Sequence, residues 1–445
     1  MFFFDTEDFT SERSAEAIKQ EAEICTSEGV VGHFAVVGLL AQQLEAWGRR
    51  DIINSLKPHI IGTHTYGHTL HPNICEVSDC ADFEQAFENV AKYEDMALDM
   101  INSVFAPEKI MFACPPGNSK SYAAMYFYAA RGIPFYCDTV VCDGRGSALH
   151  YCNQEHIDYF KSMESLFFRS EPDLDGFIEE LHAARDRAII YTHPNIAVKT
   201  EFWDALNYNK KNLRKFGEWI EAKDREPLET EKFYRLMREL IRKLKGDERF
   251  VITDLNEVLK RRQPRVLPTV GMLPKIRREL SGGLCRVKDM PFSLSEIFSA
   301  VVGIINGSGR CVPSLTYGFL SEPRGLREER VVSAEGLRNA AARIRTDTFI
   351  PEYITVDGIE IGPADFLMAA LEMLTSSEHR IKITPREQLV KSDELCELKS
   401  FKMNGQWCHA ESFCDSFLSD RLRLQCWTLR YEQSAKRQSL WSGIK

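Results

Sequence analysis

The chain opens on an apolar run, Phe2-Phe3-Phe4, which reads as a buried strand and ends in Asp5-Thr6-Glu7-Asp8. Helical periodicity follows from Glu12 to about Glu28, with Asp8 or Thr10-Ser11 placed to cap it. Val30 to Val37 is a second apolar strand, and Leu39 to Leu56 repeats with the period of an amphipathic helix. Pro58-His59-Ile60-Ile61-Gly62 is a third short strand closed by glycine. Asp82–Ser103 and Ser121–Gly132 are helical by period, and strands are expected at Lys109–Ala113, Ile133–Asp138, Arg187–Pro194 and Phe250–Asp254. Strand and helix thus alternate to about residue 265, which predicts an α/β domain with a parallel sheet. Polar residues recur at the strand C-termini, the pattern of a barrel that keeps its chemistry at one end.

The alternation stops at Arg261-Arg262-Gln263-Pro264-Arg265-Val266-Leu267-Pro268, a basic, proline-bearing linker. Beyond it a helix is expected over Met290–Asn306, a turn-rich stretch over Gly307–Gly325 and a helix from Ser333 to Arg345. A strand and turn follow at Phe349–Gly358, then a helix over Pro363–Thr375 with Phe366, Leu367, Ala370 and Leu371 on one face. The aromatic tail, with Trp407-Cys408-His409 and Leu424–Leu429, is expected to dock. The organisation expected is a domain over 1–265, a linker and helical segment over 266–330, a small module over 331–376 and a docking tail over 377–445.

Composition changes this picture little. Hydrophobic residues at 44% and charged residues at 27% are those of a globular protein. The net charge of −9 carries no basic run interleaved with aromatics, so a nucleic-acid partner is not expected. Apolar stretches such as Val30–Leu40 are broken well short of a membrane span, and no membrane partner is expected. The 13 cysteines show no framework spacing and fit reduced thiols. The first residues lack a basic leader and cleavage site, so a cytoplasmic protein is expected, or an extracytoplasmic one if a leader precedes this sequence. Self-association into a homo-oligomer is compatible with all of this.

Chemistry enters at His64-Thr65-Tyr66-Gly67-His68. Histidines four apart share one face of a helical turn, so both rings can reach one metal ion. Three carboxylates crowd the end of the first strand, where a cap needs one, and Asp5 and Glu7 share a face if the strand continues. Asp138 and His193 stand at later strand ends. Histidine nitrogen with carboxylate oxygen suits zinc, which leaves coordination positions open for water and substrate. Such an ion polarises a carbonyl and lowers the pKa of water, while a carboxylate and a histidine move the protons. His71 is a candidate substrate or outer contact, as are Asn118 and Tyr122. His33 and His59 read as packing residues, whereas His150 and His156 are candidates to line a cleft. Cys114 has no evident base beside it and is not read as a nucleophile.

In order, these motifs resemble those of the NodB-type polysaccharide deacetylases, carbohydrate esterase family four. Phe4-Asp5-Thr6-Glu7-Asp8 stands at the acid motif, His64–His68 at the histidine motif, and Cys114-Pro115-Pro116-Gly117 at the groove motif. Asp138 stands at the aspartate motif and Thr192-His193-Pro194 at the last histidine motif. The resemblance covers residues 1 to about 265 and implies a distorted (β/α)7-type barrel with a mainly helical C-terminal accessory region. It implies Asp5 as catalytic base, His193 as general acid, and Asp138 supporting one of them. His64 and His68 become metal ligands with Glu7 or its rival Asp8, and Pro115, Pro116, Gly117 and Asn118 meet substrate. The cofactor implied is zinc first, with cobalt, nickel or manganese as alternatives. The partner implied is an acetylated glycan, hydrolysed at N- or O-acetyl groups. Two departures stand out: the adjacent acid pair is Asp-Thr-Glu-Asp here, and the groove arginine is absent. Both lean towards the branch with peptidoglycan deacetylases and allantoinase-like amidohydrolases, and so to a small cyclic or linear amide as the alternative substrate. A non-catalytic glycan binder on a decayed barrel is the alternative of another class. Ser333–Leu374 resembles a pseudomurein-binding repeat, which implies a cell-wall or glycan-binding accessory.

Overall fold

The computed structural model describes residues 1–137, 141, 146, 148–207, 214–215, 218–262, 264–284, 290–308, 312–390, 413, 417–432 and 441. The described chain forms two compact units, one over 1–147 and 156–261 with part of 401–418, the other over 148–155, 262–400 and 419–445. Its strands, in chain order, are β1 (Phe2–Thr6), β2 (Gly32–Val36), β3 (Ile60–Thr63), β4 (Phe112–Ala113), β5 (Phe135–Cys137), β6 (Leu149–Tyr151), β7 (Gln154–Ile157), β8 (Lys161–Ser162), β9 (Ile190–Thr192), β10 (Arg330–Ser333), β11 (Ile354–Val356), β12 (Ile359–Ile361), β13 (Arg380–Ile383) and β14 (Arg430–Tyr431).

The first unit is α/β. Its strands run β5-β4-β3-β2-β1-β9-β8, and each neighbouring pair is parallel. Phe2 sits opposite Gly32 and Ile190, so β1 is central and covered on both edges. A strand buried on both faces carries no polar alternation, which is why Phe2, Phe3 and Phe4 run consecutively. Phe3 stacks on His33 at 4.4 Å and meets Phe112 edge-on at 5.1 Å. Gly62 makes room for that ring: a Cβ there would lie 2.5 Å from it. Because the strands are parallel, Glu7, His64, Cys114 and His193 all leave the sheet at the same edge.

Helices α1 (Glu12–Ser27), α2 (Gly38–Ala46), α3 (Arg50–Leu56), α4 (Ile74–Ser78), α5 (Phe83–Phe105) and α6 (Tyr122–Ala130) follow the first strands. The single helix expected over Leu39–Leu56 is two, since Gly48 turns left-handed between them (φ 69°). The strand expected at Phe250–Asp254 does not form; Val251 is 74% exposed there, and the chain passes into a helix at Leu255–Arg261. Among the described residues, no helix is long and apolar enough to cross a membrane.

The second unit is partly helical. Ser293 and Glu296 form a capping box at the helix Leu294–Ile305, within the segment expected to be helical. Strands β11 and β12 make a hairpin through Asp357-Gly358, both left-handed (φ 51° and 78°), as a tight two-residue turn requires. Trp427 of the tail is buried within this unit and donates its indole N–H to the Gln388 carbonyl at 2.8 Å. Trp407, Cys408 and His409 lie outside the described residues.

Candidate active site

Strand β1 delivers Asp5 and, one residue past its end, Glu7. Glu7 is 3% exposed and its two oxygens have different partners. Asn195 donates to Oε1 at 3.3 Å, while Oε2 faces Nε2 of His68 at 2.9 Å and Nε2 of His64 at 4.0 Å. Asp8, the rival ligand, points elsewhere. Its carboxylate accepts from the Thr10 amide at 2.9 Å, the Thr10 hydroxyl at 2.6 Å and the Ser14 hydroxyl at 2.5 Å, fixing the turn into α1. Alternation past the strand end therefore separates the two acids.

The two histidines do not lie on a helix. Residues 65–69 are a turn in which Thr65 (φ 69°) and His68 (φ 57°) are left-handed, a conformation costly for residues with a Cβ. Nδ1 of His64 pairs with the Cys114 carbonyl. A carbonyl only accepts, so Nδ1 carries the hydrogen and Nε2 keeps its lone pair towards Glu7. Burial and the neighbouring His68 hold His64 well below the usual imidazole range, in its neutral form. His68 turns Nδ1 to Asp204 at 3.2 Å and Nε2 to Glu7. Burial disfavours its cation, but the two carboxylates outweigh it and raise His68 to about 9. Glu7, His64 and His68 bring ligand atoms within 4.8 Å of one another. The set fits a divalent ion: two imidazole nitrogens, one carboxylate, a carboxylate behind one ring and a carbonyl behind the other.

Asp5 and His193 face each other in the same cavity, Oδ2 to Nε2 at 3.5 Å. The Tyr159 hydroxyl donates to Oδ1 of Asp5 at 2.7 Å, and the Cys114 thiol lies 3.8 Å from the same oxygen. Burial raises the Asp5 pKa, while the His193 cation and the Tyr159 hydrogen bond pull it back. His193 is held by Glu164, which accepts from its backbone N–H at 2.8 Å and its Nδ1–H at 2.7 Å. Burial again opposes the charge, but Glu164, with Glu7 and Asp5, raises His193 to about 10. The imidazolium is thus a proton donor through neutral pH.

Asp5, Glu7, His64, His68, Tyr159 and His193 line a cavity of about 490 Å3 with Pro115, Pro116, Gly117, Tyr191 and Phe202 in its walls. The remaining sequence candidates are placed differently. His71 faces Glu76 at 2.8 Å beside α4 and does not line the cavity, because Glu76 also closes the capping box that starts this helix. Asp138 and the side chain of Asn118 lie outside the described residues. His33 packs on Phe3, and His59 bonds to the Ala22 carbonyl at 3.0 Å. His150 belongs to the second unit, in a group with Glu155 and Glu432 where Arg262 supplies the counter-charge. His156 lies against Tyr136.

Sequence reasoning missed Tyr159, Glu164, Asn195 and Asp204. The only local signal was weak: Asn195 directly follows the histidine motif.

No family model matches the chain, and no curated protein does. Among solved structures, a carbohydrate esterase family four pseudoenzyme from Bacillus anthracis aligns at 13% identity over 43% of this chain and 53% of its own, with a TM-score of 0.29. A family 4 carbohydrate esterase from Streptomyces lividans, in complex with acetate, aligns at 11% identity over 55% of this chain and 86% of its own (TM-score 0.30). A 4-α-glucanotransferase from Thermococcus litoralis aligns at 10% identity over 69% and 52% (TM-score 0.39). The chain spans about half the length of the first of these. At such scores the likenesses are loose, and the reading of the site rests on its own geometry.

Changing Glu164→Gln is expected to move the alkaline limb of the pH–rate profile. A general acid works only while protonated, so with His193 in that role activity would be lost as pH rises through its pKa, about 10 with Glu164 in place. Removing the adjacent charge should lower that limb by about 1–3 pH units. An unmoved limb would remove Glu164 from this role.

Proposed function

We propose that this chain is a metal-dependent hydrolase removing N- or O-linked acetyl groups from a carbohydrate or cell-wall glycan. One observation carries the reading: a single cavity holds a His-His-carboxylate set and, beside it, a carboxylate facing a histidine that has its own carboxylate. Glu7, His64 and His68 would hold the ion, zinc first and cobalt, nickel or manganese as alternatives. When bound, such an ion polarises the acyl carbonyl and lowers the pKa of water.

The chain's own residues supply the rest. Asp5, ionised and steadied by the Tyr159 hydroxyl, takes the proton of the attacking water. His193 gives the proton on Nε2 to the departing nitrogen or oxygen, and Glu164 stabilises the cation until it does. Asp204 and Asn195 keep the His68 ring and the Glu7 carboxylate aimed at the same point.

A small cyclic or linear amide as substrate is favoured by a different observation. The groove segment Cys114-Pro115-Pro116-Gly117 and Phe202 present no cationic side chain, and about 490 Å3 lies within the range of small-molecule sites. The deciding assay offers acetylated chito-oligosaccharides and small ureides to the zinc-loaded protein. Acetate release supports the deacetylase, ureide hydrolysis alone supports the amidohydrolase, and glycan binding without turnover of either points to a non-catalytic barrel.

A further inference from the structure

The turn that carries both histidines has two left-handed residues, and hydrogen bonds from β2, α2 and α5 hold it. The His64 amide donates to the Val36 carbonyl at 2.9 Å, and the Thr65 amide to the Thr63 hydroxyl at 3.3 Å. The carbonyls of Thr65 and Tyr66 accept from the amides of Gly38 and Leu39, each at 3.0 Å. Those two donors belong to the first turn of α2, where helix amides have no partner of their own. Leu70 closes the turn onto the Gly67 carbonyl at 3.0 Å. The Tyr66 amide lies midway between the two histidines, and its partner is a side chain: Oε1 of Glu94, at 3.2 Å.

Glu94 lies on α5 and is 2% exposed. Its other oxygen, Oε2, accepts from the Tyr128 hydroxyl of α6 at 2.7 Å. Burial lifts the Glu94 pKa to about 7, against the pull of both hydrogen bonds. A carboxyl buried in a helix interface is costly unless its oxygens are satisfied. Here they are satisfied by one backbone amide and one tyrosine. Three residues on, Ala97 lets α2 approach so closely that a Cβ on Gly38 would lie 2.9 Å from the Ala97 Cα and 3.3 Å from the Tyr66 carbonyl oxygen. The same face of α5 thus offers a small residue to α2 and a carboxyl to the turn.

We infer that Glu94 is a positioning residue that holds the Thr65–His68 turn in its left-handed conformation and thereby sets the affinity of the metal site. The inference rests on reading Glu7, His64 and His68 as ligands. An apolar side chain at 94 would leave the Tyr66 amide buried without an acceptor. A strained turn persists only where its surroundings over-determine it. Relaxed, it would carry the His68 ring away from Glu7, because His68 is itself one of the two left-handed residues.

Cobalt titration of the full-length protein, followed by visible absorption, tests this with unmodified protein, His64→Ala, Glu94→Gln and Glu94→Met. Glutamine keeps an acceptor for Tyr66, so its affinity should stay within about threefold of unmodified protein. Methionine keeps the volume and loses the acceptor, so affinity should fall about tenfold, at the lower end of the loss seen for outer partners of metal ligands, with a changed cobalt spectrum. Equal affinity in Glu94→Met and unmodified protein overturns the inference and leaves the ligand reading intact. So does an equal loss in Glu94→Gln and Glu94→Met, which would assign the effect to charge. If unmodified protein binds no cobalt, or His64→Ala binds it equally well, the ligand reading itself falls and takes the inference with it. Should Glu94→Met not fold, Tyr128→Phe serves instead: binding a few-fold weaker supports the clamp, and unchanged binding overturns it.

Discussion

Replacing His64 with alanine is expected to abolish metal retention and, with it, hydrolysis. Of the three proposed ligands, His64 is the one whose ring orientation is most fully fixed by its partners. Its Nδ1 is tied to the Cys114 carbonyl, burial keeps the ring neutral, and Nε2 is left facing Glu7. Without it, Glu7 and His68 remain as only two of the three donors. Loss of an outer partner typically costs about 10–100-fold in metal affinity, and loss of a ligand should exceed that. Elemental analysis after dialysis, beside a zinc titration, decides it. Stoichiometric zinc in His64→Ala would dismiss the His-His-Glu set.

Asp5→Asn should have the opposite signature: metal kept, turnover lost. Asparagine can still accept the Tyr159 hydrogen bond through its carbonyl oxygen, so the local structure should survive. It cannot take a proton, and the rate should fall about 10²–10⁴-fold. The pH dependence provides an internal check. A base acts when ionised, so unmodified protein should lose activity as pH falls through the Asp5 pKa, which burial raises above the ordinary carboxylate value. That acid limb should be missing from the residual activity of Asp5→Asn. A variant with near-normal turnover, or one that loses its metal, would reassign Asp5.

Three of the groups singled out from sequence share one property: each stands at or beside a strand end. Asp5, His64 and His193 were found because a short apolar run announces a strand, and parallel strands deliver their C-terminal residues to one edge. The residues that aim them carry no such mark. Glu164 follows a two-residue strand, β8, in a stretch without clear periodicity, and it pairs with Nδ1 of His193. Tyr159 reaches Asp5 across 154 positions of chain, and Asn195 reaches Glu7 across 188. Asp204 stands beside a tryptophan in a short helix and looks like any first-turn acid.

The linear pattern alone was enough for the α/β class and its parallel sheet, because side-chain periodicity and strand burial are local consequences of backbone geometry. It also sufficed to bring the acid and histidine motifs to one edge. Alternation past the strand end already set Glu7 apart from Asp8, and tertiary structure was needed to show what each carboxylate faces. Both acids stand just past the strand; Asp8 is held by the Thr10 amide and the Thr10 and Ser14 hydroxyls, while Glu7 faces the two histidines. It was needed as well to show that the two histidines share a target through a left-handed turn rather than a helix. That turn exists because α2 and Glu94 of α5 hold its backbone from outside, and such constraint comes from packing between distant segments, which spacing along the chain does not record.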